Sequence, residues 1–160
     1  MTIEICQLYI SSGHNFFGHH GRKPDEHLAI AVASVDCIAG RGIREDRFLD
    51  YKKNYKGQIT FFALEVFEEL CRELQVSNAS PSLLRRNVIT RGTDLNTLIG
   101  QEFEIQGVRF YGTAECRPCY WMNRAIAPGA EDFLRGRGGL RAEILSDGTL
   151  RRTSRFLTAA

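Results

Sequence analysis

Apolar and polar residues alternate along several short stretches of the chain. Residues 2–10 begin such an alternation at Ile3 and Ile5, and a period of two is typical of a β-strand. Apolar residues also dominate 29–38 and 87–90. The pattern therefore predicts strands over these three segments.

Two further stretches combine alternation with a turn. Residues 102–112 alternate on both sides of a Gln-Gly pair, which predicts a β-hairpin. Residues 140–151 place apolar positions on both sides of Asp147 and Gly148, a pair that suits a tight two-residue turn. We therefore predict a second hairpin there.

A helical period is clear in one long segment. From Phe61 to Leu74, apolar residues recur at spacings of three and four, which predicts an amphipathic helix over 61–74. Residues 94–98 allow at most one helical turn. A short helix is predicted over 128–134, where a proline stands near the start.

These elements favour one fold class. Many short strands with one sizeable helix indicate a mainly β protein with a few helices, a β-rich α+β fold, and not a parallel sheet alternating with long helices. The sequence shows no internal repeat and no clear linker. We expect a single domain over 1–160, arranged as a β-barrel or sandwich.

Composition excludes several other classes. The chain is 43% hydrophobic with a net charge of +2, so disorder is not expected as its main state. Its longest apolar runs are far shorter than the roughly 18–20 residues that a membrane span needs. Because the N-terminus does not resemble a signal peptide, we expect a cytoplasmic protein whose five cysteines stay reduced.

The basic residues are unevenly divided between lysine and arginine. Every basic residue after Lys56 is an arginine, and the arginine fork suits phosphate or carboxylate groups. Genomic base composition explains this bias equally well. Acidic residues are interspersed among the arginines, so nucleic-acid binding is not expected.

Two cysteines separated by two residues form the sharpest chemical motif. Cys116 and Cys119 could ligate one metal ion or exchange as a disulfide, and the intervening Arg117 favours a thiolate. They are the candidate catalytic residues, and an incidental pair is the alternative. Three other cysteines stand in apolar patterns and are expected in the core: Cys6, Cys37 and Cys71.

All four histidines lie close together near the N-terminus. His14, His19 and His20 share a glycine-rich loop predicted over 11–27. Imidazole is a common metal ligand and proton carrier, but the spacing matches no established zinc pattern. A polar loop without a metal is the more common explanation of such a segment.

Two polar segments stand out, and the first of them could bind an anion. In the first, glycines precede Arg44, Asp46 and Arg47, within a loop predicted over 43–57. Internal ion pairs of Asp46 with Arg44 or Arg47 are the alternative. In the second, Arg85, Arg86 and an asparagine stand directly before the strand predicted at 87–90.

Several motifs in a fixed order resemble the MOSC family, the domain related to the C-terminal part of molybdenum cofactor sulfurases. They are Gly40-x-Gly42 with Asp46-Arg47, Gln58-Ile59-Thr60, Arg86-Asn87-Val88-Ile89-Thr90-Arg91-Gly92, Leu98-Ile99-Gly100 and Arg117-Pro118-Cys119. The resemblance covers about residues 28–151. It implies a barrel-like β fold and a cysteine, here Cys119, that carries sulfur or ligates molybdenum.

The resemblance also implies a cofactor and the residues around it. The expected cofactor is the molybdenum cofactor, molybdopterin, with Cys119 as the ligand of any molybdenum. The candidate cofactor-binding residues are Arg44, Asp46, Arg47, Arg86, Asn87 and Arg117. The histidine of a common Gly-Asp-Arg-His pattern is absent, because Phe48 follows Arg47 here.

Three functions follow as alternatives. The first is a molybdenum-dependent protein that reduces N-hydroxylated substrates with the help of a redox partner. The second is a sulfur carrier that receives a persulfide from a cysteine desulfurase and performs no redox catalysis. The third is a binding module for another anion, with both cysteines incidental. Pyridoxal phosphate is not expected to be held covalently, since no lysine follows Lys56.

Overall fold

The computed structural model describes residues 2–13 and 29–157, which are mainly β. The strands are β1 (Glu4–Ile10), β2 (Ile30–Ala31), β3 (Ser34–Ile38), β4 (Gly42–Ile43), β5 (Ile59–Ala63), β6 (Val88–Arg91), β7 (Glu102–Ile105), β8 (Val108–Glu115), β9 (Leu140–Ile144) and β10 (Gly148–Arg151). The α-helices are α1 (Leu64–Glu73), α2 (Trp121–Ala125) and α3 (Ala130–Leu134). Short 3-10 turns occupy Pro81–Leu84, Leu95–Leu98 and Ser154–Phe156.

The strands form two sheets. Seven strands pair in the order β2-β1-β6-β5-β9-β8-β7, and three pair in the order β10-β3-β4. Only β5 and β6 pair in parallel among the described strands, because α1 connects them. The mainly β class is confirmed. The closed barrel is not, since the pairings between described residues leave both sheets open.

Two apolar cores flank the large sheet. The first contains residues from both sheets, and the second lies between the large sheet and the helices. Strand β5 contributes to both, because Phe61 belongs to the first core and Phe62 to the second. A strand buried on both faces is a continuous apolar run, so residues 61–63 could be counted in the helical period of the segment that follows.

The prediction of a helix from residue 61 was therefore wrong at its start. Residues 61–63 are the end of β5, and α1 begins at Leu64. Within α1, Phe67 and Leu70 are the buried residues and pack into the second core. The helical period is thus real, but it begins one turn later.

The predicted hairpin over 140–151 is also wrong. Strand β9 pairs with β5 and β8, whereas β10 pairs with β3 in the other sheet. The Asp147 side chain accepts a hydrogen bond from the Ala39 amide at 2.7 Å, which ties this connection to the end of β3. Asp147 and Gly148 therefore connect β9 of the large sheet to β10 of the small sheet and do not close a hairpin.

The strand predicted over 29–38 divides in two. Ile30–Ala31 pairs with β1, and Ser34–Ile38 pairs with β4 and β10. A bulge between Ile5 and Gln7 also interrupts the period of β1. The hairpin of β7 and β8, the turn at Leu95–Leu98 and helix α3 are confirmed.

Helix α2 was not predicted from the sequence, because its five residues are too few to show a period. Within the described part of the chain, no helix is long and apolar enough to cross a membrane.

Candidate functional site

Three arginines meet where the loop after β4 approaches the segment before β6. We call Arg47, Arg85 and Arg86 the arginine cluster. The Nη2 atom of Arg47 donates to the Arg85 carbonyl oxygen at 2.8 Å. The Arg47 side chain is 8% exposed, and residues Arg85 and Arg86 are each 8% exposed. Burial of three guanidinium groups is unusual, because charged groups seldom leave water without compensation.

Asp46 holds this cluster against the rest of the fold. Its carboxylate is fully buried and accepts hydrogen bonds from Arg47 Nη1 at 3.2 Å and Asn87 Nδ2 at 3.3 Å. The backbone amides of Ser11 and Phe48 also donate to it, at 3.0 and 3.2 Å. The predicted alternative of an internal ion pair is confirmed for Arg47.

Asn87 connects the cluster to β5. Its Oδ1 atom accepts hydrogen bonds from the amide and hydroxyl of Thr60, and its Nδ2 atom also donates to the Tyr9 carbonyl oxygen. Only 1% of Asn87 is exposed. Asn87 and Asp46 thus hold the arginine cluster in position from the interior of the fold.

Burial of positive charge lowers the pKa of two arginines in the cluster. Burial lowers the pKa of Arg47, and the Asp46 carboxylate acts in the opposite direction. Burial, reinforced by the neighbouring Arg47 charge, lowers the pKa of Arg85 to about 10. A lowered pKa means that the charged forms are destabilised, so a bound anion would stabilise the cluster.

Arg85 was not among the predicted site residues. Its backbone lies in the left-handed region at φ 58°, at the end of the Pro81–Leu84 turn. This conformation directs its Nη2 atom to the hydroxyl of Ser11 and the carbonyl oxygen of Gly13, both at 2.8 Å. The adjacent Arg86 was the only sequence signal that could have identified it.

Arg86 joins the cluster to residues 116–119, which we call the cysteine loop. Its Nε atom donates to the Gly138 carbonyl oxygen at 3.0 Å, and its Nη2 atom to the Cys116 carbonyl oxygen at 3.4 Å. The Cys116 amide donates to the Gly139 carbonyl oxygen at 2.7 Å. The cysteine loop is therefore fixed beside the arginine cluster.

Glycine is required where the cysteine loop packs. A Cβ atom on Gly138 would lie 2.2 Å from the Cys116 carbonyl oxygen and 2.9 Å from Pro118 Cδ. The Cys119 carbonyl oxygen accepts from the Met122 amide at 3.0 Å, in the turn that leads into α2. Cys116 and Cys119 are both half-buried free thiols.

A comparison with protein-family models identifies the family of this chain. A family model of the MOSC domain matches residues 19–153. The chain belongs to the MOSC domain family. No curated protein matches it in sequence.

Solved structures resemble this MOSC domain in fold. The YuaD protein of Bacillus subtilis superposes with a TM-score of 0.73 at 19% identity, covering 95% of this chain and 92% of that one. YiiM from Geobacillus stearothermophilus gives a TM-score of 0.65 at 12% identity over 94% of this chain and 71% of its own. YiiM from Escherichia coli gives a TM-score of 0.59 at 14% identity, covering 90% of this chain and 65% of its own.

Two arginines that were predicted to bind the cofactor lie outside the arginine cluster. The side chain of Arg44 is 62% exposed and pairs with Asp36 at 3.7 Å. Arg117 is exposed and lines a pocket of about 270 Å³ together with Glu115 and Glu131. Four of the six predicted cofactor-binding residues are thus brought together, and these two are not.

The predicted histidines, His14, His19 and His20, lie outside the described residues. Within residues 2–13 and 29–157, no group of three or more His, Cys, Asp or Glu side chains could hold a metal ion.

An aromatic group that the sequence analysis missed lies next to the cluster. The Phe48 ring stacks on the Tyr55 ring at 5.3 Å, and Tyr51 meets Tyr55 edge to face at 4.8 Å. The Arg47 guanidinium lies 4.7 Å from the centre of the Phe48 ring. Their spacing of three and four residues in a polar loop was the available signal.

Two of the remaining cysteines of the MOSC domain are buried in its interior, as predicted, and the third is half-buried. Cys6 and Cys37 are buried, and Cys71 packs against the second core. Burial raises the pKa of each of the three thiols, and for Cys37 to about 12. These thiols are therefore poor nucleophiles.

We expect alkylation to separate the two groups of cysteines. Iodoacetamide at about pH 8 should modify Cys116 and Cys119 first, because the reactive species is the thiolate and their side chains reach solvent. Cys37 should stay unmodified until the chain is unfolded in urea, because its raised pKa leaves little thiolate. Peptide mass spectrometry measures the order, and early modification of Cys37 would contradict it.

Proposed function

We propose that this MOSC domain binds the molybdenum cofactor, or its sulfur, between the arginine cluster and the cysteine loop. In this proposal the cluster binds the phosphate of molybdopterin, and the Cys119 thiolate ligates the metal or carries the sulfur. The observation that supports it best is the link through Arg86, which donates to the backbone of both Gly138 and Cys116.

The residues present fit both the phosphate and the metal of such a cofactor. Buried guanidinium groups are effective donors to phosphate, because the charge-assisted hydrogen bonds are not screened by water. A thiolate is a soft ligand suited to a metal whose remaining ligands come from the organic cofactor. When bound, the cofactor would supply a metal centre able to exchange electrons with a substrate.

Space for a ligand exists beside Gly139. A pocket of about 470 Å³ lies there, at the carboxyl ends of the parallel strands β5 and β6, where it is lined by Ala63, Gly92 and Asn96. Pockets of a few hundred Å³ are typical of small-molecule sites, and open sheets commonly bind ligands at such strand ends. Among the described residues, its lining contains no residue of the arginine cluster or the cysteine loop and includes Glu65 and Asp94, so we do not assign this space to the anionic cofactor.

Each form of the proposal requires a partner. Reduction of an N-hydroxylated substrate at the metal would require a redox partner that supplies electrons. A sulfur carrier would require a cysteine desulfurase that loads Cys119. The second form is favoured by one observation, namely that two half-buried thiols stand in the same loop.

The Arg47→Lys variant tests the binding of the cofactor. Lysine preserves the charge opposite Asp46 but removes the two-pronged donor that a phosphate recognises. Loss of one charge-assisted contact weakens binding by about tenfold or more. We expect the pterin content of the chain, purified from a host that makes the cofactor and measured by fluorescence after oxidation, to fall accordingly.

Arg109→Lys is the matched control, because Arg109 is exposed on β8. It should retain the pterin content of the unmodified chain. Equal pterin in the Arg47→Lys and Arg109→Lys variants, or no pterin in the unmodified chain, would contradict binding of the cofactor by the arginine cluster.

A further inference from the structure

The two cysteines of the cysteine loop have different surroundings. Cys116 is held by its backbone on two sides, since its amide donates to Gly139 and its carbonyl oxygen accepts from Arg86. Cys119 lies in the turn before α2, where its carbonyl oxygen accepts a hydrogen bond from the Met122 amide. The backbone of Cys116 is thus anchored at the arginine cluster, and Cys119 lies three residues further along the chain.

We propose that Cys116 is a resolving thiol that releases the sulfur carried by Cys119. This inference rests on the sulfur-carrier form of the proposed function. It assigns separate roles to the two cysteines, with Cys119 accepting the sulfur and Cys116 discharging it.

The reaction is a thiol–disulfide exchange within one loop. The Cys116 thiolate, having lost its proton to solvent, attacks the Sγ atom of a Cys119 persulfide. The Sγ–S bond of the persulfide breaks and its electron pair leaves with the terminal sulfur as hydrosulfide. A Cys116–Cys119 disulfide forms. An external dithiol then reduces this disulfide and returns both thiols to their starting state.

The arginine cluster lies where this reaction needs positive charge. Both the attacking thiolate and the departing hydrosulfide are anions. The Cys116 sulfur is close enough to Arg47 to act on its pKa, in the same direction as Asp46 does. Arg86 contacts the Cys116 backbone directly. The sulfide would therefore be released next to the cationic site at which an anionic cofactor would bind.

The loop also restricts how far the two thiols can separate. Two residues lie between them, and one is Pro118, whose φ angle is fixed by its ring. Gly138 packs against both the Cys116 carbonyl and the Pro118 ring. Attack within such a loop is intramolecular and should exceed the rate of attack by free thiols at ordinary concentrations.

The test uses the full chain and sodium tetrasulfide as the sulfur donor. After excess donor is removed, peptide mass spectrometry follows the persulfide at Cys119, and a colorimetric assay follows the released sulfide. Cys116→Ser is compared with the unmodified chain, with Cys116→Ala as a second variant. Cys71→Ser is the control, because Cys71 is a half-buried cysteine on α1 that packs against the second core and is not part of the cysteine loop. Thermal unfolding verifies that each variant is folded.

We expect the Cys119 persulfide to persist at least about tenfold longer in both Cys116 variants than in the unmodified chain. The unmodified chain and Cys71→Ser should release sulfide and form the Cys116–Cys119 disulfide. Equal decay of the Cys119 persulfide with and without Cys116 would overturn the resolving role and leave the sulfur-carrier function standing. Absence of a persulfide at Cys119 in every variant would overturn both.

Discussion

The Asp46→Ala variant is expected to lose about 3–5 kcal/mol of unfolding free energy, as when one partner of a buried ion pair is removed. Its carboxylate is fully buried and accepts from the side chains of Arg47 and Asn87 and from two backbone amides. Removing it leaves three buried guanidinium groups without that carboxylate. Urea denaturation monitored by circular dichroism measures the loss.

Asp36→Ala is the matched control for this prediction. Asp36 also pairs with an arginine, Arg44, but the Asp36 side chain is 54% exposed. The Arg44 Nε and Asp36 Oδ2 atoms are 3.7 Å apart. Exposed ion pairs contribute about 0–1 kcal/mol, so this variant should stay close to the unmodified chain. Similar losses for Asp36→Ala and Asp46→Ala would show that Asp46 does not organise the cluster.

The Gly138→Ala variant is expected to displace the cysteine loop. The new Cβ atom would lie 2.2 Å from the Cys116 carbonyl oxygen, so the backbone of the loop or of Gly138 must shift. Overpacking of this kind costs about 1–3 kcal/mol. A shift of the reactive sulfur by about 1 Å can reduce function about a hundredfold. We therefore expect a lower melting temperature together with a large loss of bound molybdenum or of persulfide loading.

Gly136→Ala separates this effect from a general effect of alanine in the same segment. Gly136 has a positive φ of 81°, but a Cβ atom there meets nothing within 4 Å. The variant should be somewhat less stable because of backbone strain, yet retain its loading. If Gly138→Ala loads as well as Gly136→Ala, the contact between Gly138 and Cys116 does not position the thiols.

Local signals in the sequence were sufficient for some elements of the fold. The alternation around the Gln-Gly turn identified the hairpin of β7 and β8, and the pattern of 128–134 identified α3. In these elements the residues that pair or pack are close in sequence. Their prediction therefore required no knowledge of distant partners.

Elements determined by distant contacts were not predictable in the same way. Asp147 and Gly148 suit a hairpin turn, but β10 pairs with β3, more than a hundred residues away. Phe61 fits the helical period predicted over 61–74, yet it lies in β5, where Phe61 and Phe62 face different cores. Short patterns state which residues are apolar, and tertiary packing decides which partner covers them.

The candidate site shows the same limit. Arg44 and Arg47 are three residues apart and equivalent by composition, but one is exposed beside Asp36 and the other is buried against Asp46. Of the residues that the motifs supplied, the structure brings Asp46, Arg47, Arg86 and Asn87 together. It did not reveal Arg85, because burial of an arginine depends on the surrounding fold. Whether these residues bind a cofactor stays a prediction.

The most direct test of the account is the molybdenum content of the freshly purified chain and of its Cys119→Ser variant. Both would be expressed in a host that makes the cofactor and analysed by mass spectrometry for the metal and by fluorescence for pterin, with Cys71→Ser as the control. The account predicts near-stoichiometric molybdenum and pterin in the unmodified chain and in Cys71→Ser, and strong loss of molybdenum in Cys119→Ser. Molybdenum and pterin absent from the unmodified chain, or equal metal in the Cys119→Ser variant, would contradict binding of the cofactor through Cys119.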